Sequence, residues 1–222
     1  MKAVLFDFDG VLVNSEPLHY RALRAALLTA GLDISEDEYA AYYLAYDDWR
    51  ATRLALERHG AESGADRVEA LVARKTAEFD ALLATVPFYP GARELVLALA
   101  AQVPVAIASG AQRPEIERIL DGAGMRESFT AIVGAGDAAR GKPNPDPYLA
   151  AMVRLQPRVP GLVAAECVVI EDTMAGIASG LAAGMKVVGV AQTYPAEKLQ
   201  SAHLVVPSVR DLDPSRLRGL FS

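Results

Sequence analysis

Cysteine is nearly missing from this chain of 222 residues: Cys167 stands alone, so no internal disulfide can form and a framework of the secreted kind is excluded. The apolar Val168-Val169-Ile170 that follows it predicts a buried strand thiol rather than a nucleophile. Positive charge is also short. Lys and Arg number 22 against 28 Asp and Glu, a formal net charge of −6, and the basic stripe that neutralises a phosphate backbone is absent. Nucleic acid is not an expected partner. Long apolar runs are missing too. None approaches the ~20 residues of a membrane span, and the N-terminal run Ala3-Val4-Leu5-Phe6 breaks at Asp7, well before the length of a secretory core. A cytoplasmic protein without a membrane partner is the expectation, monomeric, with a dimer as the alternative.

What the chain has in quantity is apolar side chain, 52% against 23% charged, which suffices for a sizeable core. At roughly 150 residues per domain, the length allows one core and a smaller insert. Ala3 to Phe8 is a continuous apolar run closed by Asp9-Gly10, the pattern of a strand buried on both faces of a parallel sheet. Similar runs recur at Val103 to Ala108, Thr130 to Val133, Cys167 to Ile170 and Val187 to Val190, with a weaker one at Leu204 to Val206. Helix-forming stretches separate most of them: Arg93 to Ala101, Pro114 to Asp121, Pro147 to Leu155 and Thr173 to Ala183. Strand and helix in alternation predict an α/β fold with a Rossmann-like parallel sheet.

One stretch breaks the alternation. Leu18 to Ala30, Glu36 to Tyr46, Trp49 to Arg58 and Arg67 to Leu83 read as consecutive helices punctuated by Gly31, Gly60 and Gly64. They predict an all-helical insert over residues 16–86, bounded by Pro17 and by Pro87 and Pro90-Gly91, within a core of residues 1–15 and 87–222.

Gly136-Asp137-Ala138-Ala139-Arg140-Gly141-Lys142 matches the first seven positions of a phosphate-binding P-loop. The next residue is Pro143, where a hydroxyl is needed, and Pro143-Asn144-Pro145-Asp146-Pro147 cannot continue the required helix. Nucleotide binding is excluded there, and Lys142 needs another role.

The strand ends supply one. Asp7 and Asp9 lie two apart where the first strand stops, so both carboxylates leave on one side and Gly10 allows a sharp exit. Val105 to Ala108 delivers Ser109-Gly110, Val168 to Ile170 delivers Glu171-Asp172, and Lys142 lies between those strands. Ligands of an open parallel sheet bind beyond such ends. Four carboxylates facing one lysine repel and raise each other's pKa values. A hard divalent ion on oxygen ligands resolves this, and Mg2+ suits a site open to phosphate.

At these residues the chain resembles the haloacid dehalogenase superfamily, in its branch of β-phosphoglucomutases and sugar-phosphate phosphatases with a helical cap. The resemblance rests on Asp7-Phe8-Asp9-Gly10-Val11-Leu12, Ser109-Gly110, Gly141-Lys142-Pro143-Asn144-Pro145-Asp146 and Ile170-Glu171-Asp172-Thr173, in the expected order along nearly the whole chain. It implies Asp7 as nucleophile and Asp9 as general acid and base. It implies Mg2+ held by Asp7, the backbone carbonyl of Asp9 and Asp172, with Glu171 nearby or acting through water. Ser109, Gly110 and Lys142 would grip the phosphoryl group. The implied activity is a Mg2+-dependent phosphatase acting on a small phosphorylated metabolite through an aspartyl-phosphate. A hexose-phosphate mutase is the alternative, sharing every core residue. A phospho-receiver or a non-catalytic binding protein is the alternative of another class, against which Asp9 and the helical insert both count.

Within the insert, His19, Trp49, Arg50 and Lys75 are candidates for substrate contact, with Arg53 as a further one; for Arg50, Arg53 and Lys75 the alternative is a solvated helix face. The loop Ala45-Tyr46-Asp47-Asp48 departs from the mutase pattern of a glycine followed shortly by an arginine. Asp146-Pro147 reads as a helix N-cap followed by first-turn proline, and Thr173 as the cap of the next helix. Gly176, Gly180 and Gly184, four apart, read as close helix-to-sheet packing.

Overall fold

The computed structural model describes residues 1–44 and 46–221; Ala45, part of the departure from the mutase pattern, lies outside them. The chain divides into two compact units, Met1–Asn14 with Pro87–Ser222, and Ser15–Val86.

In the first unit six strands form one parallel sheet: β1 (Ala3–Phe6), β2 (Val105–Ala108), β3 (Ala131–Val133), β4 (Cys167–Glu171), β5 (Lys186–Val190) and β6 (Leu204–Val206). Their order is β3-β2-β1-β4-β5-β6. The apolar runs become strands because each is buried on both faces; β1, β2 and β4 have no exposed residue. Register pairs Phe6 with Ile107 on one side and with Ile170 on the other, so the ends of β1, β2 and β4 are level. Because β1 lies at the point where the winding reverses, the residues just beyond it open into the crevice such sheets use. Cys167 is buried in β4, and burial pushes its thiol up to about 11, which makes it inert.

Around the sheet run α5 (Ala92–Ala100), α6 (Arg113–Gly122), α7 (Asp146–Leu155), α8 (Met174–Ala182) and α9 (Pro214–Arg218). Thr173 caps α8 by accepting the Gly176 amide at 3.0 Å. Asp146 differs from the sequence expectation. Pro145 occupies the cap, Asp146 is the first helical residue, and its two oxygens take a bidentate pair from Arg140 at 2.9 and 3.0 Å. Gly180 and Gly184 also do not share the packing role that their spacing predicts. A Cβ on Gly180 would lie 2.9 Å from Val187, which is packing, whereas one on Gly184 would meet only Ala164 at 3.7 Å, an ordinary contact, and Gly184 with φ +76° ends its helix by left-handed geometry.

The second unit is all-helical: α1 (Glu16–Leu28), α2 (Glu36–Tyr42), α3 (Asp48–Arg58) and α4 (Ala65–Leu82). Leu23, Leu27, Tyr39, Leu56, Val68 and Leu71 share its core. The second helix stops at Tyr42, short of the expected Tyr46. Asp47 caps α3 by accepting the Arg50 amide at 3.0 Å. Among the described residues, no helix is long and apolar enough to cross a membrane.

Candidate active site

The polypeptide leaves β1 through Asp7, whose amide donates to the Ile170 carbonyl at 2.9 Å and so stays in sheet register. It then folds back on itself: Leu12 and Val13 both donate to the Phe8 carbonyl, and Gly10 to Val13. Gly10 has φ +76°, and a Cβ there would lie 1.9 Å from Asp172 Oδ2. Glycine is required both by the turn and by the carboxylate pressed against it. Asp9 lies within this turn, half-buried and bridged to Val13.

Three carboxylates meet where β1 and β4 end. Asp7, Glu171 and Asp172 each offer an oxygen within 4.8 Å of the others, and all three are buried. Lys142 reaches in from the loop before α7, its Nζ 2.6 Å from Asp7 Oδ1 and 2.6 Å from Glu171 Oε1. Burial disfavours the ammonium, but Asp7 and Glu171 outweigh it and hold the lysine's pKa above its ordinary value. Burial, together with Glu171 and Asp172, pushes the Asp7 carboxyl well up despite Lys142. Asp172 is pushed up to about 7, first by burial and then by Glu171, with a hydrogen bond from Thr193 opposing.

The carboxylates are not equivalent. Glu171 is wholly enclosed and saturated: Oε1 accepts from Lys142 and from the Tyr148 hydroxyl at 3.0 Å, while Oε2 accepts from the Asp172 amide and from the Thr173 amide and hydroxyl. Both of its oxygens already accept hydrogen bonds, one of them from Lys142, whereas no such set surrounds Asp172. Asp172 is the opposite case, since its Oδ1 is buried and has no hydrogen-bond partner. An anionic oxygen desolvated without a partner is costly. An all-oxygen set, an excess of negative charge and an orphaned oxygen together fit a hard divalent cation.

Ser109 follows β2, only 6% exposed, with its hydroxyl accepting the Ala111 amide at 3.0 Å. Gly110 comes next and has no atom within 4 Å of where a Cβ would stand. Both follow Ala108, which is next to Ile107, the β2 partner of Phe6. The sheet therefore carries Asp7, Ser109 and Glu171 on neighbouring strand ends, and the lysine contact completes the set.

A profile of the haloacid dehalogenase-like hydrolases matches residues 1–184. The chain belongs to that family. CbbY from a plasmid of Cupriavidus necator is 32% identical across 95% of this chain and 87% of its own. Fructose-1-phosphate phosphatase YqaB of Escherichia coli K12 is 31% identical across 84% of this chain and 95% of its own. A HAD family hydrolase from Deinococcus radiodurans, solved with bound phosphate and sodium, is 32% identical with a TM-score of 0.76, covering 99% of this chain and 97% of that one.

In the helical unit of this hydrolase, the candidates fall into two groups. His19 on α1 stacks on Phe79 with ring centroids 4.1 Å apart, and its Nδ1 lies 2.9 Å from Lys75 Nζ. Lys75 is only 3% exposed and pairs with Asp48 at 2.8 Å, which overturns a solvated helix face for it. Burial, then Lys75, drives His19 down to about 4. Trp49 and Arg50 lie elsewhere. With Tyr46 and Arg53 they line a hollow of about 440 Å³, Arg50 over the Tyr46 ring at 4.3 Å and Arg53 over Trp49 at 5.5 Å.

Two residues at the carboxylate site carry no motif signal. Tyr148 reads in sequence as another apolar position of α7, yet its hydroxyl reaches Glu171. Thr193 is a lone threonine after β5, bonded to Asp172.

Proposed function

We propose that this hydrolase is a Mg2+-dependent phosphatase of small sugar or polyol monophosphates, working through an aspartyl-phosphate on Asp7. The observation that carries the reading is the buried set of Asp7, Lys142, Glu171 and Asp172, with one Asp172 oxygen unpartnered. Relatives named fructose-1-phosphate phosphatase and hexitol phosphatase support the substrate class.

Asp7 and Asp172 would hold the ion, with the backbone carbonyl of Asp9 as a further ligand. When bound, it supplies positive charge that offsets the carboxylates and the phosphoryl oxygens. Lys142 fixes one Asp7 oxygen, which leaves the other to attack phosphorus. The new O–P bond forms as the bond to the leaving alkoxide breaks, and Asp9 gives that oxygen its proton. Asp9 then takes a proton from water. The water oxygen attacks phosphorus, inorganic phosphate departs and the Asp7 carboxylate returns. Ser109, the Gly110 amide and Lys142 bind the phosphoryl oxygens as charge spreads over them. A proton donor at position 9 suits an ester oxygen, which leaves badly without one; a halide needs none.

The unit Ser15–Val86 acts as the cap in this reading, with His19, Trp49, Arg50 and Lys75 taking part in choosing the leaving group. The test is phosphate release from a panel of hexose and polyol monophosphates. Release should require Mg2+, stop with a chelator and fall by at least about 10³-fold in Asp7→Asn. Full turnover in chelator, or in that variant, would contradict the proposal.

A further inference from the structure

The loop after β5 contributes no residue to the reaction above, yet two consecutive side chains from it reach the site. Gln192 Nε2 donates to the carbonyls of Gly10 at 2.8 Å and Val11 at 3.4 Å. Its Oε1 accepts from the Val209 amide at 2.9 Å and the Ser208 hydroxyl at 3.2 Å. The turn that carries Asp9 and Gly10 is thereby tied to the C-terminal segment. The Thr193 hydroxyl hydrogen-bonds to the Asp172 side chain. A Cβ on Gly10 would lie 1.9 Å from Asp172 Oδ2 and 2.7 Å from Thr193 Oγ1, so the three residues are packed against one another. Asp172 is 2% exposed, and its other oxygen, Oδ1, has no partner.

A carboxylate can turn about its last bond and present either oxygen or neither. We infer that Thr193 is a positioning residue for the metal: by binding one oxygen of Asp172 it fixes the rotation that leaves Oδ1 without a partner and available to the ion, while Gln192 holds Gly10 behind the pair. Neither residue touches the reacting atoms. The role matches the general behaviour of groups that orient metal ligands, whose loss typically weakens affinity 10- to 100-fold. The inference rests on the proposed Mg2+ site.

The experiment is Mg2+ titration by calorimetry on substrate-free protein, with the melting temperature of each metal-free variant measured alongside. Thr193→Val keeps the shape and removes the hydroxyl, Thr193→Ala removes more, and Thr193→Ser restores the donor. Both Thr193→Val and Thr193→Ala should bind Mg2+ at least about 10-fold more weakly, and Thr193→Ser within about 2-fold of the parent, at closely similar melting temperatures. Binding by Thr193→Val within about 2-fold of the parent overturns the inference. So does an affinity that follows melting temperature across the three variants rather than the hydroxyl. Failure of the parent protein itself to bind Mg2+ is a different result, which overturns the proposed function and this inference with it.

Discussion

Lys142 answers two carboxylates at once, 2.6 Å from each, and the consequences of removing either side differ. Lys142→Met leaves Asp7 and Glu171 buried without their cation, which costs about 3–5 kcal/mol when a buried pair loses one partner. Urea unfolding without metal should show this loss, and added Mg2+ should recover part of it. Asp7→Asn removes a carboxylate that burial already pushes toward its neutral form, while Lys142 keeps Glu171. That variant should lose activity and keep its urea midpoint. The roles of Asp7 and Lys142 are expressed in motifs, so sequence spacing brings them forward. Tyr148 and Thr193 are not, because an aromatic on an apolar helix face and a single threonine in a loop look the same whether or not a carboxylate lies opposite.

Helix α8 shows how one element serves both fold and site. Gly176 and Gly180 share a spacing but face different neighbours. A Cβ on Gly176 would fall 1.6 Å from Glu171 Oε1, and one on Gly180 2.9 Å from a Val187 methyl. Gly180→Ala is an overpacking change of about 1–3 kcal/mol. Gly176→Ala should cost more and lower activity as well, because Glu171 must move and Lys142 with it. Gly184→Ala meets no atom closer than 3.7 Å and is penalised only for φ +76°, about 1–2 kcal/mol. Denaturant unfolding of the three variants checks this ranking. A period of four in sequence marks a helix face; which neighbour lies beneath it is a tertiary fact. In the helical unit, α1 and α4 bury His19 against Phe79 and Lys75. Burial lowers its pKa from 6.5 to about 4, so the unfolded chain binds the proton more readily than the folded one. The stability from the neutral ring is complete above pH 6.5 and is lost as pH falls toward 4, about 3 kcal/mol in all. His19→Asn should flatten the dependence of stability on pH across that window.

At the scale of the molecule, sheet and insert are legible because both are written in long-range patterning. Apolar runs that end in Asp, Ser or Glu at matching strand ends specify a parallel sheet with its polar residues at one edge. The missing strand signal before Val86 specifies helices. What patterning does not contain is the direction of single side chains, which is why Lys75 turns out buried against Asp48 and Asp146 pairs with Arg140 instead of capping. Mg2+ at a hundred times its dissociation constant should add about 2.7 kcal/mol to the stability of the whole chain, read as a rise in melting temperature that Asp172→Asn abolishes. The central claim is that Asp7 carries the phosphoryl group. Borohydride reduces an acyl phosphate to an alcohol, so protein quenched during turnover of a cleaved phosphate ester, then reduced and digested, reports the site by mass spectrometry. The account predicts homoserine at position 7 only when substrate and Mg2+ are both present. Turnover that leaves Asp7 unreduced, or homoserine at another carboxylate, would contradict it.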